Sequence, residues 1–304
     1  MSETRDMMLA SFDRVVADHL DRGAREAADL QTAKEAGAEP WPSEVWAALE
    51  QQGMTALGEI AEGDLGFVDS MALVRRSAYH AVPLPLAETF VARRLLARAG
   101  LELPDGVLTI SAPASMHDVV SVREGQITGR IAHVPFARGV RHLVIPVGSG
   151  RGAALALVNI ERAIAHASIS KAGEPRDTVD LGRAMPVAVG TMHDAPLIVE
   201  AEGALMRAVQ MSGALSRVLA EALTWVSDRV QFGKPIARFQ AVQHLVAELA
   251  SECAAASAAS DMAVEASVSA PDRFSIAVAK ARVGEAAGRA SAIAHQLFGA
   301  MGFT

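Results

Sequence analysis

The sequence is poor in cysteine, which excludes two kinds of site, and in aromatic residues, which points to helical packing. Cys253 is the only cysteine among 304 residues, so this chain can form no internal disulfide and no cysteine-based zinc site. Aromatic residues make up only 4% although 51% of the residues are hydrophobic, so Ala, Val and Leu carry the apolar share. That composition favours closely packed helices. Cys253 lies in an Ala- and Ser-rich helical stretch and is expected to be a small buried thiol.

An excess of positive charge and long apolar runs are lacking as well. The formal net charge of −7 argues against a surface for nucleic acid or for an anionic membrane. No run of about 18 apolar residues is present, so we expect no membrane span. The first residues, MSETRDMMLASFD, carry acids and do not read as a signal peptide. We therefore expect a cytoplasmic protein with neither nucleic acid nor membrane as a partner.

The first third of the chain has apolar residues at helical spacing. One such stripe consists of Phe12, Val15, Val16 and Leu20. The segment WPSEVWAALEQQG predicts a short helix with Pro42 near its start and Gly53 past its end. Asp69 is predicted to cap a helix through MALVRRSAYH. A further helix, ETFVARRLLARAG, is expected to stop at Gly100.

The pattern changes after Pro104 and changes back near Pro196. Short runs rich in Val and Ile, such as VLTIS and HLVIPV, predict strands, and Gly125 fits a hairpin turn between two of them. Three long helices rich in small residues follow, as expected for an antiparallel bundle. The predicted fold is α+β and multidomain. It has an N-terminal helical domain, a small β-barrel or sandwich, and a C-terminal bundle of four-helix type, at residues 1–105, 106–193 and 194–304.

One stretch interrupts the helical pattern of the last third. In DRVQFGKPIARFQAVQ, residues 228–243, an arginine, an amide, an aromatic ring, a glycine and a proline crowd together. Each has an ordinary explanation by itself, because Arg229 could be a solvated arginine at a helix end and Phe232 a core residue. Gly233 and Pro235 could simply break the helix.

This stretch resembles the signature of acyl-CoA dehydrogenases, and QLFGAMGFT, residues 296–304, resembles that family's Q-x-x-G-G-x-G-[YF]-T segment. The N-terminal segments WAALEQQGMTAL and PLPLAETFVARRLLARAG resemble the family's small-subunit type, so the resemblance spans nearly the whole chain. The resemblance implies an FAD site in which the motif arginine reaches a partner subunit's FAD at its phosphate–ribose portion. The positions implied to contact FAD are Arg229, Gln231, Phe232, Gln240, Gln296, Gly299 and Ala300. A guanidinium, side-chain amides and glycines suit a pyrophosphate cofactor.

The family's catalytic base, normally a glutamate, has no clear counterpart here. In one branch it follows the Q-x-x-G-G segment, at a position beyond Thr304. In another branch it lies on the helix before the arginine motif, and counting back from Arg229 leads to Gly203. Glu202 is adjacent and is the candidate base, but one residue turns a helical side chain by about 100 degrees. The alternative role for Glu202 is a solvated carboxylate near a helix start.

The segment ISAPASMHDVV also lacks the Gly-Ser-Asp of the family's flavin loop. Both departures resemble the short subunits of heteromeric acyl-CoA dehydrogenases of fatty acid or steroid catabolism. The implied function is α,β-dehydrogenation of an acyl-CoA, with a second subunit supplying the base and an electron-transfer acceptor reoxidising the flavin. The alternatives are a self-sufficient homodimer or tetramer, a related flavin oxidase or monooxygenase, and a non-catalytic structural subunit. The nine histidines show no close ligand spacing, so we predict no metal site.

Overall fold

A computed structural model describes residues 3–19, 41–57, 65–111 and 120–299 of the protein. The chain divides into two compact units, each made from two segments. The first unit comprises Met1–Ser70 and Val82–Gly203, and the second comprises Met71–Ala81 and Ala204–Thr304. The division into three domains at residues 105 and 193 stays a prediction. No described helix is long and apolar enough to cross a membrane.

The helices of the first unit follow the apolar stripes of the sequence. They are α1 (Glu3–His19), α2 (Ser43–Gln51), the first turn of α3 (Phe67–Tyr79), α4 (Leu86–Arg98) and the start of α5 (Ala195–Asp228). Helix α1 buries Phe12, Val15 and Val16 as expected, whereas Leu20 lies outside the described residues. Helix α2 begins after Pro42, and Gly53 beyond its end has a φ of 70°.

The prediction that Asp69 precedes and caps its helix is wrong. Helix α3 begins two residues earlier, at Phe67, so Asp69 lies inside its first turn. From there one carboxylate oxygen accepts from the Gly66 amide at 2.8 Å, and the other pairs with Arg5 Nε at 2.6 Å. A carboxylate in the first turn can satisfy a free amide by reaching back along the chain. Asp69 thus ties α1 to the start of α3.

Two four-stranded sheets form the middle of the first unit. One sheet has the order β1-β4-β5-β8, and the other has the order β2-β3-β7-β6. All pairings are antiparallel except that of β1 with β4. The strands are β1 (Leu108–Ile110), β2 (Val120–Arg123), β3 (Gln126–Pro135), β4 (His142–Val147), β5 (Ala154–Asn159), β6 (Ile164–His166), β7 (Arg176–Asp180) and β8 (Pro186–Thr191). Buried residues from both sheets, including Ile131 and Ile145, share one core, as in a sandwich.

The turn at Gly125 confirms the predicted hairpin. Glu124 and Gly125 have φ values of 52° and 77° between the paired residues Arg123 and Gln126, which is a two-residue turn of type I′. Strands β6, β7 and β8 are not evident in the sequence. Strand β7 carries charged residues, and β8 is an edge strand whose Val187 and Val189 are exposed.

The second unit contains four helical segments: the rest of α3 and of α5, together with α6 (Gln240–Ala266) and α7 (Arg273–Phe298). The two-residue strands β9 (Val230–Gln231) and β10 (Lys234–Pro235) separate α5 from α6. Small residues allow the close packing predicted for the bundle. A Cβ added at Gly213 on α5 would lie 2.2 Å from the Arg75 carbonyl oxygen of α3, so only glycine fits there.

Candidate functional site

The arginine motif forms a tight β-hairpin between α5 and α6. Strand β9 pairs with β10 through Val230 with Pro235 and Gln231 with Lys234, which leaves Phe232 and Gly233 as the two turn residues. Their φ values are 54° and 78°, as in a type I′ turn. Glycine adopts this left-handed conformation readily, but a bulky aromatic residue there is strained by roughly 1–3 kcal/mol.

The strained turn presents an aromatic ring to solvent. Phe232 is 91% exposed, although large apolar side chains are usually buried. Its ring contacts Phe239 edge-on at a centroid distance of 6.1 Å, and Lys234 Nζ lies 4.4 Å from the Phe239 ring centroid. The contact with Phe239, the residue before α6, places the hairpin beside the start of that helix.

Trp225 joins the hairpin to the end of α7. The Arg229 guanidinium carbon lies 5.4 Å from the centre of the Trp225 ring, one helical turn earlier in the chain. Trp225 Nε1 donates to the Leu297 carbonyl at 3.2 Å, and its ring centroid is 5.6 Å from that of Phe298. The structure therefore brings Arg229 and the Gln296–Gly299 segment to the same end of the bundle, although they are far apart in the sequence.

The side chains at this end suit the phosphate and ribose part of a dinucleotide. Arg229, Gln231, Gln240 and Gln296 are exposed, so a guanidinium and three amides are available to a ligand. A Cβ added at Gly233 or at Gly299 would meet no atom within 4 Å, so both positions border open space. Ala300 and the segment 112–119, which corresponds to the family's flavin loop, lie outside the described residues.

Glu202 occupies a different environment, inside the first unit. Its side chain is fully buried, and Oε1 accepts from Arg94 Nε of α4 at 3.0 Å, with Arg98 Nη1 3.7 Å away. The interpretation of Glu202 as a solvated carboxylate near a helix start is therefore wrong. Burial raises the pKa of Glu202 above that of an ordinary glutamate, against the opposing attraction of Arg94 and then of Arg98.

The neighbouring position, Gly203, borders open space. A Cβ added at Gly203 would meet no atom within 4 Å, whereas the Glu202 side chain is directed to two arginines. Gly203, the position that corresponds to the family's base, is thus open, whereas Glu202, one residue earlier, lies in an enclosed ion pair. The assignment of Glu202 as a catalytic base stays a prediction.

Cys253 is a buried thiol, as the sequence predicts. Its Sγ donates to the Leu215 carbonyl at 3.4 Å, and burial, followed by the nearby Glu252, raises its pKa. A protonated and enclosed thiol is a poor nucleophile. Among the described residues, no group of three or more His, Cys, Asp or Glu side chains could hold a metal ion.

Sequence reasoning missed two residues of these sites. Trp225 precedes Arg229 by four positions, so helical spacing could have placed its ring under the arginine. Arg94 is 108 positions from Glu202, and no local sequence pattern predicts that the two side chains pair.

Comparisons with known proteins agree with this architecture. Residues 201–304 match the family described as acyl-CoA dehydrogenase, C-terminal domain. A relative named Acyl-CoA dehydrogenase IpdE2, from Mycolicibacterium smegmatis, is 29% identical over 312 residues, which cover 100% of this chain and 89% of the relative. Residues 201–304 therefore match the C-terminal domain of acyl-CoA dehydrogenases, and the whole chain is similar in sequence to an acyl-CoA dehydrogenase.

Two solved structures have the same fold over almost their full length. The ChsE4-ChsE5 complex from Mycobacterium tuberculosis is similar with a TM-score of 0.84 and 20% identity, covering 100% of this chain and 88% of that one. A structure described as the Tcur3481-Tcur3483 steroid ACAD G363A variant gives a TM-score of 0.83 at 21% identity, covering 99% and 88%. These similarities confirm the predicted fold class.

Proposed function

We propose that this chain is a subunit of an acyl-CoA dehydrogenase that binds the partner subunit's FAD through its hairpin and takes the catalytic base from that partner. The observation that carries the proposal is the exposed and strained Phe232 beside Arg229. Backbone strain persists where the surrounding structure or a function maintains it. An aromatic ring that is 91% exposed fits a surface that another subunit or a cofactor covers.

The charges around the hairpin favour an anionic ligand. Arg229 and Lys234 are two cations within the motif, and a guanidinium can pair with a pyrophosphate through two parallel hydrogen bonds. The amides of Gln231, Gln240 and Gln296 can donate to phosphate or accept from ribose hydroxyls. This set of donors would hold the phosphate–ribose part of FAD.

The surroundings of Glu202 support a base from elsewhere. A general base must come within hydrogen-bonding reach of the proton that it removes. Glu202 is completely buried and is held by Arg94 and Arg98, so we assign it a structural role. Gly203, which borders open space, has no side chain to act as a base.

The proposed reaction is the α,β-dehydrogenation of an acyl-CoA thioester. FAD, held by Arg229 and the neighbouring glutamine amides, would supply the acceptor for the β hydrogen as a hydride, and the partner's carboxylate would take the α proton. The role of this chain is to hold the cofactor and to complete the assembly. Similarity to a steroid ACAD supports a bulky, steroid-derived acyl group as the substrate.

Co-expression with a full-length acyl-CoA dehydrogenase encoded beside this chain tests the proposal. We expect the chain alone to be colourless and the co-purified assembly to carry FAD, which a steroid-derived acyl-CoA bleaches without oxygen. A flavin-bound chain that is bleached without the partner would instead establish a self-sufficient enzyme. Glu202→Gln would then decide whether Glu202 is its base. An assembly without flavin would indicate a structural subunit.

A matched pair of arginine variants tests the hairpin directly. Arg229→Leu should lower the FAD affinity of the assembly by about tenfold or more, because a charge-assisted contact is lost. Arg273→Leu is the control, because Arg273 is an exposed arginine at the opposite end of α7. Equal FAD affinity of the two variants would contradict the assignment of Arg229.

A further inference from the structure

Trp225 has contacts with both parts of the candidate cofactor surface. Its ring lies under the Arg229 guanidinium at 5.4 Å, and its Nε1 donates to the Leu297 carbonyl at 3.2 Å. A third contact, with the Phe298 ring at 5.6 Å, adds an aromatic pair.

The hydrogen bond from Trp225 supplies a partner for a carbonyl at the C-terminal end of α7. The last four carbonyls of an α-helix have no partner within the helix, and Leu297 lies in the final turn of α7. Trp225 Nε1 supplies a donor to one of these carbonyls. It also fixes the final turn to α5, immediately before Gly299, whose amide donates back to the His295 carbonyl.

The ring of Trp225 restrains the arginine in a different way. Arg229 is exposed, and an exposed arginine samples many rotamers. A guanidinium over an indole face is attracted by the negative potential of the ring, and tryptophan is the strongest ring for this interaction. The Arg229 amide also donates to the Trp225 carbonyl at 2.9 Å, so backbone and side chain face the same residue.

We propose that Trp225 is a positioning residue that couples the Arg229 hairpin to the Gln296–Gly299 segment, so that both meet the cofactor as one preorganised surface. The identity of the ligand as FAD rests on the proposed function, whereas the coupling itself belongs to this chain. Preorganisation raises affinity because less freedom is lost on binding. Trp225 would therefore strengthen cofactor binding while its own contacts are with protein groups.

Amide hydrogen exchange on the full chain, without cofactor or partner, tests the coupling. Trp225→Leu removes the indole N–H and the ring, and should accelerate exchange about tenfold at residues 297–299 and in the hairpin. Trp225→Phe keeps a ring for Arg229 but loses the donor, so it should accelerate exchange at the end of α7 alone. Val226→Ala is the control, because it weakens a buried position of the same helix turn without touching these contacts.

The exchange result overturns the coupling if Trp225→Leu leaves both segments unchanged or gives the same pattern as Val226→Ala. A cycle of Trp225→Leu and Arg229→Leu in the assembly tests the link to the cofactor. The two losses of FAD affinity should be non-additive, since the first variant already releases the arginine. Additive losses would refute a positioning role. If Arg229→Leu leaves FAD affinity unchanged, the proposed function fails, and the exchange data still decide whether Trp225 couples the segments.

Discussion

Replacing Glu202 by leucine would remove the carboxylate that pairs with the buried Arg94 guanidinium. Glu202 is 0% exposed and Arg94 is 4% exposed, so water cannot replace the missing partner. The two groups are 3.0 Å apart, which corresponds to an attraction of about 5 kcal/mol at an effective dielectric constant of 20. Desolvation costs several kcal/mol for each ion, so the intact pair contributes little net stability.

The consequence is an asymmetry between single and double substitutions. Glu202→Leu or Arg94→Met alone should lower the free energy of unfolding by about 3–5 kcal/mol, because each removes one member of a buried ion pair and leaves the other buried. The double variant should lie much closer to the wild-type protein than either single variant does, since it buries neither charge. Arg98 remains, but its side chain is 20% exposed and can turn towards water.

Urea unfolding followed by far-ultraviolet circular dichroism measures these differences. Four proteins are compared at neutral pH: the wild type, the two single variants and the double variant. A coupling free energy of about 3 kcal/mol between the two positions would support the buried pair. Additive single effects, or single losses below about 1 kcal/mol, would refute the reasoning and reopen Glu202 as a group with a catalytic role.

Three further predictions concern the second unit. Gly213→Ala should lower the free energy of unfolding, measured by thermal denaturation, by about 3 kcal/mol or more, because the new methyl group would clash with the Arg75 carbonyl oxygen. Gly284→Ala, at a helical position with open space, should raise it by about 1 kcal/mol. Similar effects of the two variants would contradict the close approach at Gly213. A hydrogen bond from Arg282 lowers the pKa of Glu252 in the folded protein. The ionised Glu252 therefore stabilises the fold at a pH above the ordinary glutamate pKa, and this stabilisation is lost as the pH falls through the lowered pKa of the folded state. Glu252→Gln should therefore flatten the loss of stability in acid, measured by denaturation at a series of pH values, and an unchanged pH profile would contradict this. Phe232→Gly should stabilise the chain by about 1 kcal/mol by relieving strain and should weaken FAD retention by the assembly; an FAD affinity equal to that of wild type would remove the functional reason for the strain.

The sequence predicts an element correctly where its signal is local, as in an apolar stripe on one helix face or a glycine in a tight turn. The stripe on α1 and the turn at Gly125 are both local features, and both appear in the structure. The β8 strand was missed because its alternating valines are exposed at a sheet edge, so burial does not mark it. Asp69 was misplaced by two residues because a carboxylate can satisfy the amides at a helix start from more than one position.

The burial of Glu202 could not be predicted for a different reason. A glutamate near a helix start is usually solvated, and its neighbours in the sequence are unremarkable. Its environment is set by Arg94, which reaches it from a helix 108 residues earlier in the chain. Two residues so far apart along the chain pair only because the packed fold brings them together, and no periodicity in a single sequence predicts such a pair.

The hairpin departs from the residue preference of its turn type. A two-residue type I′ turn favours Asn-Gly or Gly-Gly, and this chain has Phe-Gly at the turn. The edge contact of Phe232 with Phe239 does not explain why a residue with a strained backbone is exposed to solvent. The proposed function gives the strain at Phe232, the exposed cation at Arg229 and the open space beside Gly233 and Gly299 one common explanation, a cofactor shared with a second subunit.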